Sequence, residues 1–181
     1  MIQLVTGGSA SGKSAWAEQQ LLFCGETCRR FYIAAMKPWD AEMREKIIRH
    51  QQMRSRERFT TIECYTGLYS INLPPAEPGA PLAVLVECMS NLAANEMYDI
   101  GGTTPEIFGR IMAGIGHLQT MAEHIVIVTN EVFSDGGSYS DETLRYRQLL
   151  GMVNQELGRQ AQQVTEVVYG IPIRLKDGRK G

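Results

Sequence analysis

Short, nearly unbroken apolar runs alternate along this chain with longer segments in which apolar residues recur every three or four positions. The runs are Ile2–Val5, Phe31–Ala35, Leu82–Val86, Ile125–Val128 and Glu166–Tyr169. A strand covered on both faces has no reason to alternate apolar with polar side chains, so several of these runs predict strands of a largely parallel sheet. The segments between them, Lys13–Phe23, Asp40 to about Met53, Thr104–His124 and Asp141–Gln163, carry the helical period. Thr104, Pro105 and Glu106 make a favourable helix start, because proline loses no bond there and the carboxylate meets the positive end of the helix dipole. Ser140 and Asp141 open the last helix in the same way, and Ser90, Asn91 and Asn95 fall on what reads as a short helix after the third run. The pattern as a whole predicts an α/β protein with a mostly parallel central sheet flanked by helices.

Composition narrows the class. With 181 residues, 44% of them apolar, one domain spanning 1–181 is expected, able to bury a core without staples. The proline-rich stretch Leu73–Pro81 then joins two elements of that domain, and the polar end Asp177–Gly181 is expected to fray. Eighteen Lys and Arg against 20 Asp and Glu leave a net charge of -2, so there is no basic field for a nucleic-acid backbone. No apolar run approaches the roughly 20 residues of a membrane span. Met1 leads directly into a strand without a signal-like segment, which points to the cytoplasm. Cys24, Cys28, Cys64 and Cys88 accordingly read as free thiols rather than as disulfides or a zinc site.

The sharpest local signal is Gly7-Gly8-Ser9-Ala10-Ser11-Gly12-Lys13-Ser14, which fits G-x4-G-K-[ST]. A strand precedes it and a helix follows, so backbone N–H groups and a helix N-terminus converge on one anion. Glycines let the backbone wrap phosphates, Lys13 reaches the β and γ oxygens, and the Ser14 hydroxyl suits Mg²⁺. Such a loop needs an acidic group at the end of a neighbouring strand. Glu87, directly after Leu82–Val86, sits where a carboxylate meets the ligand edge of an open α/β sheet; the alternative is a solvated strand end. Thr129-Asn130-Glu131 ends the run Ile125–Val128 similarly, with helix capping as the alternative role.

Of the three histidines, His117 and His124 fall on or at the end of the Thr104 helix, where ordinary roles suffice. His50 differs, because Met43, Ile47, His50 and Arg54 step by 4, 3 and 4 along one stripe of a helix. An inward arginine needs an anion, and a nucleotide phosphate is the economical partner. On these residues alone, a P-loop small-molecule kinase with a structural His50 and a non-catalytic nucleotide-binding regulatory protein both remain open.

The order of motifs resembles the bifunctional adenosylcobinamide kinase/adenosylcobinamide-phosphate guanylyltransferases of cobalamin assembly. The resemblance runs through Leu4-Val5-Thr6-Gly7-Gly8 and the phosphate loop, Tyr32-Ile33-Ala34-Ala35, and Asp40 to His50. It continues through Ile62-Glu63-Cys64, Val86-Glu87-Cys88, Val128-Thr129-Asn130-Glu131-Val132 and Gly151-Met152-Val153-Asn154-Gln155. It implies a RecA-like P-loop NTPase fold, a homotrimer, and two reactions with Mg²⁺. The first phosphorylates adenosylcobinamide from ATP or GTP, and the second attaches GMP from GTP to give adenosylcobinamide-GDP through a guanylylated histidine. It implies that this histidine is His50, with Lys13 serving the kinase step. It further implies nucleotide contacts at Gly7–Ser14, Ala34, Ala35, Met36, Gln51, Gln52, Met53, Arg54, Glu63 and Glu87, and a metal held by Ser14 and Glu87. The chain departs from the family pattern at Ser55, which follows Arg54, and in the loop Phe133–Tyr139.

Overall fold

In a computed structural model of the chain, residues 1–38, 59–132 and 139–178 are described. The strands are β1 (Ile2–Thr6), β2 (Arg29–Ala34), β3 (Phe59–Glu63), β4 (Leu82–Glu87), β5 (His124–Val128), β6 (Gln163–Val168) and β7 (Ile171–Asp177). The helices are α1 (Lys13–Leu22), α2 (Met89–Asn95), α3 (Thr104–Met121) and α4 (Asp141–Gln160). One sheet takes all seven strands in the order β3-β2-β4-β5-β1-β6-β7. Every pairing is parallel except β6 with β7.

The central strands are apolar throughout because both faces are covered. Successive side chains of a strand point to opposite faces. Leu4, Phe31, Ile33, Val84, Val86, Ile125 and Ile127 therefore pack on one side with Met89 and Leu92 of α2, Ile107, Ile111 and Ile115 of α3, and Leu150 and Val153 of α4. Val5, Tyr32, Ala83, Leu85, Val126 and Val128 face the other way, onto Ala17 and Leu21 of α1. Each fully buried side chain of this size contributes about 1.5–3 kcal/mol. The α3 helix lies close on the short turn Leu68–Ser70, where a Cβ at Gly114 would come within 2.7 Å of Leu68.

Several boundaries differ from the periodicity. The α3 helix stops at Met121 instead of His124: Ala122 is already extended, and His124 opens β5 opposite Ala83. The α4 helix stops at Gln160 instead of Gln163, because Gln163 pairs with Gln3 and begins β6. Tyr169 leaves the strand for a turn. β3 and β7 lack apolar runs because they are the sheet's two edges, and β7 is exposed at every position. Of the polar end Asp177–Gly181, Asp177 closes β7 against Gln163, and residues 179–181 lie outside the described residues. Ser140 accepts a hydrogen bond from the Thr143 N–H at the start of α4, as its sequence suggests. At α3 the cap is Thr103, whose N–H donates to Glu106 at 2.7 Å. The expected helix Asp40–Met53 and most of the loop Phe133–Tyr139 lie outside the described residues.

Candidate functional site

The parallel order brings the ends of β1 to β6 to one edge of the sheet, and the candidate site is built there. Gly7–Ser14 connects β1 to α1 and wraps the first turn of that helix. Three of its backbone positions adopt conformations that favour glycine: Gly7 at φ 154°, Ala10 at φ 57° and Gly12 at φ 91°. Two glycines are dictated by space as well. A Cβ on Gly7 would lie 2.5 Å from the Val167 carbonyl oxygen, and one on Gly12 would lie 3.3 Å from Gly170 Cα. The loop thus rests on the β6–β7 turn, whose Gly170 N–H donates to the Ser11 carbonyl at 2.8 Å. Lys13 is buried, with its ammonium donating to the Gly8 carbonyl at 2.9 Å, so its charge is folded over the loop. The first N–H groups of α1 have no partners within the helix, and their dipoles favour an anion at this end.

Glu87 ends β4, beyond the intervening β5, yet it meets the phosphate loop directly. The Ser14 hydroxyl donates to Glu87 Oε1, and the Tyr32 hydroxyl donates to Oε2 at 2.8 Å. A serine hydroxyl and a carboxylate from two elements, in contact beside a phosphate loop, are hard oxygen donors of the kind Mg²⁺ takes. The donor set fits that ion. Tyr32 is a site residue that the sequence pattern did not single out. Its signal lay in the alternation of β2, which turns Tyr32 toward α1 between two neighbours that face away.

Ala34 pairs in register with both Glu87 and Glu63, so three of the expected nucleotide-contacting positions form one line across β3, β2 and β4. Ala35 and Met36 continue past that line. The Ala35 N–H donates to the Glu87 carbonyl at 2.9 Å, and Met36 is exposed. Glu63 accepts the Tyr65 hydroxyl at 2.8 Å. His50, Gln51, Gln52, Met53 and Arg54 lie outside the described residues.

The polar residues after β4 and β5 hold this edge in shape. Thr129 donates its N–H to the Val5 carbonyl and its hydroxyl to Asn154 of α4 at 2.8 Å, while Asn130 donates to the Ser90 hydroxyl at 2.7 Å. Glu131 donates its N–H to the Gly7 carbonyl at 3.3 Å. Thr129 and Asn130 are therefore ties between elements; neither caps a helix. Buried Asn95 bridges the carbonyls of Ala35 and Tyr65 at 2.9 Å each, and buried Glu96 pairs with Arg110 at 2.9 Å. His117 bonds the Ile71 carbonyl oxygen at 2.8 Å, a structural role. Among the described residues no group of three metal-ligating side chains forms, and the cysteines are free. No described helix is long and apolar enough to cross a membrane.

The chain is similar to known proteins over nearly its whole length. The model of the family described as cobinamide kinase / cobinamide phosphate guanyltransferase matches residues 3–175. The bifunctional adenosylcobalamin biosynthesis protein CobU of Escherichia coli is 33% identical, over 97% of this chain and 100% of its own length. CobU of Salmonella typhimurium is 32% identical with the same coverage, and CobP of Pseudomonas aeruginosa is 28% identical over 97% of this chain and 98% of its own. Among solved structures, the flagellar accessory protein FlaH of Methanocaldococcus jannaschii aligns with TM-score 0.51 at 10% identity, over 97% of this chain and 78% of that one. A second solved structure, an ATPase domain, aligns with the same score and identity, over 98% of this chain and 77% of its own. These two likenesses concern the fold, which is a RecA-like P-loop α/β fold.

Proposed function

The chain belongs to the cobinamide kinase / cobinamide phosphate guanyltransferase family and is an adenosylcobinamide kinase and adenosylcobinamide-phosphate guanylyltransferase; from that premise we propose how its residues divide the two reactions. The observation that supports the division is the contact of Ser14 with Glu87 beside a phosphate loop whose lysine is folded over it.

In the kinase reaction the backbone of Gly7–Ser14, the start of α1 and Lys13 hold the triphosphate, and Lys13 balances charge on the transferred phosphoryl group. Ser14 and Glu87 would hold Mg²⁺, which would supply further neutralisation of that charge. Ala34–Met36 and Glu63 line the edge along which the acceptor hydroxyl or a nucleotide lies. The protein's main contribution is orientation, because aligning two reactants removes entropy from the barrier.

In the guanylyl reaction His50 attacks the α-phosphorus of GTP, forming a phosphorus–nitrogen bond as pyrophosphate departs. The phosphate of adenosylcobinamide phosphate then attacks the same phosphorus and releases the imidazole. Covalent catalysis of this kind divides one displacement into two. The attack needs one imidazole nitrogen unprotonated, and histidine is the side chain that exchanges such a proton near neutral pH. Arg54, four residues after His50 in the sequence, holds a phosphate of the same nucleotide. The enzyme works as a trimer in the cytoplasm.

Incubation with Mg²⁺-GTP and pyrophosphatase should add a GMP-sized mass to the intact protein, stable in alkali and lost in acid. His50→Asn should abolish it. An adduct that survives in this variant would assign another nucleophile, and its absence in the wild type would replace the covalent route with direct attack of the acceptor phosphate on GTP.

A further inference from the structure

The β6–β7 turn presents one residue that neither the sheet nor the phosphate chemistry explains. Val168 pairs with Ile171, leaving a two-residue hairpin loop of Tyr169 and Gly170, both at positive φ, 51° and 79°. Loops of this type favour Asn, Asp or Gly, because a larger side chain at positive φ crowds its own backbone. Here the first position is tyrosine, and its side chain is spent on no packing: Tyr169 is 95% exposed. A strained, exposed aromatic residue is retained where something else uses it.

Its position says what that is. Gly170 donates its N–H to the Ser11 carbonyl at 2.8 Å, and its Cα would lie 3.3 Å from a Cβ on Gly12, a tight contact, so the turn sits close against the phosphate loop. The loop leaves β1, which has β5 and then β4 on one side and β6 on the other. Glu87 ends β4 and, with Ser14, marks the side of the metal. A metal held there would neutralise charge at the transferred, γ end of the triphosphate. The γ end of the triphosphate therefore points toward β4, and the α-phosphate and nucleoside lead the opposite way, toward the β6–β7 turn. We propose that Tyr169 is the stacking platform for the purine base of the nucleoside triphosphate held by Gly7–Ser14. The platform rests on the reading of that loop as the triphosphate site. Stacking uses the π-face that every base has, so Tyr169 adds affinity without choosing between adenine and guanine.

The test compares ATP, GTP and inorganic tripolyphosphate by titration calorimetry with wild type, Tyr169→Phe and Tyr169→Asn. Asparagine suits the turn, so the Asn variant should melt at the wild-type temperature or about 2–4 °C above it. Its Kd for ATP and for GTP should rise by about 5- to 150-fold, while its Kd for tripolyphosphate stays unchanged. The Phe variant should bind all three ligands like wild type. Unchanged nucleotide affinity in Tyr169→Asn would overturn the platform, and so would a parallel loss of tripolyphosphate, which would make the turn only a support for the loop. If wild type binds neither nucleotides nor tripolyphosphate, the phosphate-loop reading fails and the platform fails with it; if wild type binds tripolyphosphate as tightly as ATP, the platform alone fails.

Discussion

The contact between Ser14 and Glu87 shows how much chemistry a single residue's position can carry. Both were legible in the sequence, Ser14 from its motif and Glu87 from five apolar residues ending in a carboxylate. Tyr32 was not, because a tyrosine inside an apolar run reads as core, and only the register of β2 with β4 aims its hydroxyl at Glu87. Two hydroxyl donors on one carboxylate keep it oriented toward the loop. Glu87→Gln keeps the shape and one acceptor oxygen but removes the charge, so the fold should survive. The magnesium concentration for half-maximal kinase rate should rise about 10- to 100-fold, the usual cost of disturbing a metal's immediate surroundings. A magnesium titration identical to wild type would return Glu87 to a purely structural role.

At the scale of elements, the reading succeeded where a strand is buried on both faces and failed at the edges. β1, β4 and β5 announce themselves as apolar runs because helices cover them on both sides. β3 reads Phe-Thr-Thr-Ile-Glu and β7 reads Ile-Pro-Ile-Arg-Leu-Lys-Asp, patterns without an unbroken buried run, since each has one neighbouring strand among the described residues. Helices α3 and α4 looked longer than they are because helical and strand periodicity cannot be told apart over the two or three residues where one yields to the other. The phosphate loop depends on an element that the motif does not contain, the end of β6. Gly7 and Gly8 test this dependence. Gly7→Ala drives a Cβ to 2.5 Å from the Val167 carbonyl, whereas nothing lies within 4 Å of a Cβ on Gly8. Overpacking of this kind costs about 1–3 kcal/mol. Thermal melting should therefore fall by about 2–12 °C in Gly7→Ala, given about 2–4 °C per kcal/mol for a chain of this size. Gly8→Ala should melt within about 1 °C of wild type. Equal melting of the two variants would show that β6 does not constrain the loop.

For the molecule as a whole, the sequence revealed the class of fold and the family but not the strand order, which depends on where each connection crosses and leaves no mark in periodicity. It also hid how the ligand edge is underpinned. Behind that edge lies a buried polar network in which Glu96 pairs with Arg110 and accepts the Gly67 N–H at 2.7 Å. Cys64, the residue after β3, is packed into the core beside this network. Burial first, and the Glu96 charge second, raise the Cys64 thiol from 9.0 to about 11, and burial raises Cys24 by a similar amount. The sign of the consequence follows from linkage. Between pH 9 and 11 the unfolded chain gives up thiol protons that the folded chain keeps, so the unfolded state binds fewer protons and stability falls as pH rises. Below pH 9 both states are protonated and these thiols contribute no slope. For Cys64 the loss is bounded at about 2–3 kcal/mol by pH 11. Urea midpoints measured from pH 7 to 11 should therefore be level with respect to this thiol up to about pH 9 and then decline. Cys64→Ala should start lower, having lost buried volume, and decline less steeply through the same window. Parallel declines in the two proteins would mean that Cys64 keeps its ordinary pKa and that the alkaline sensitivity arises elsewhere in the core.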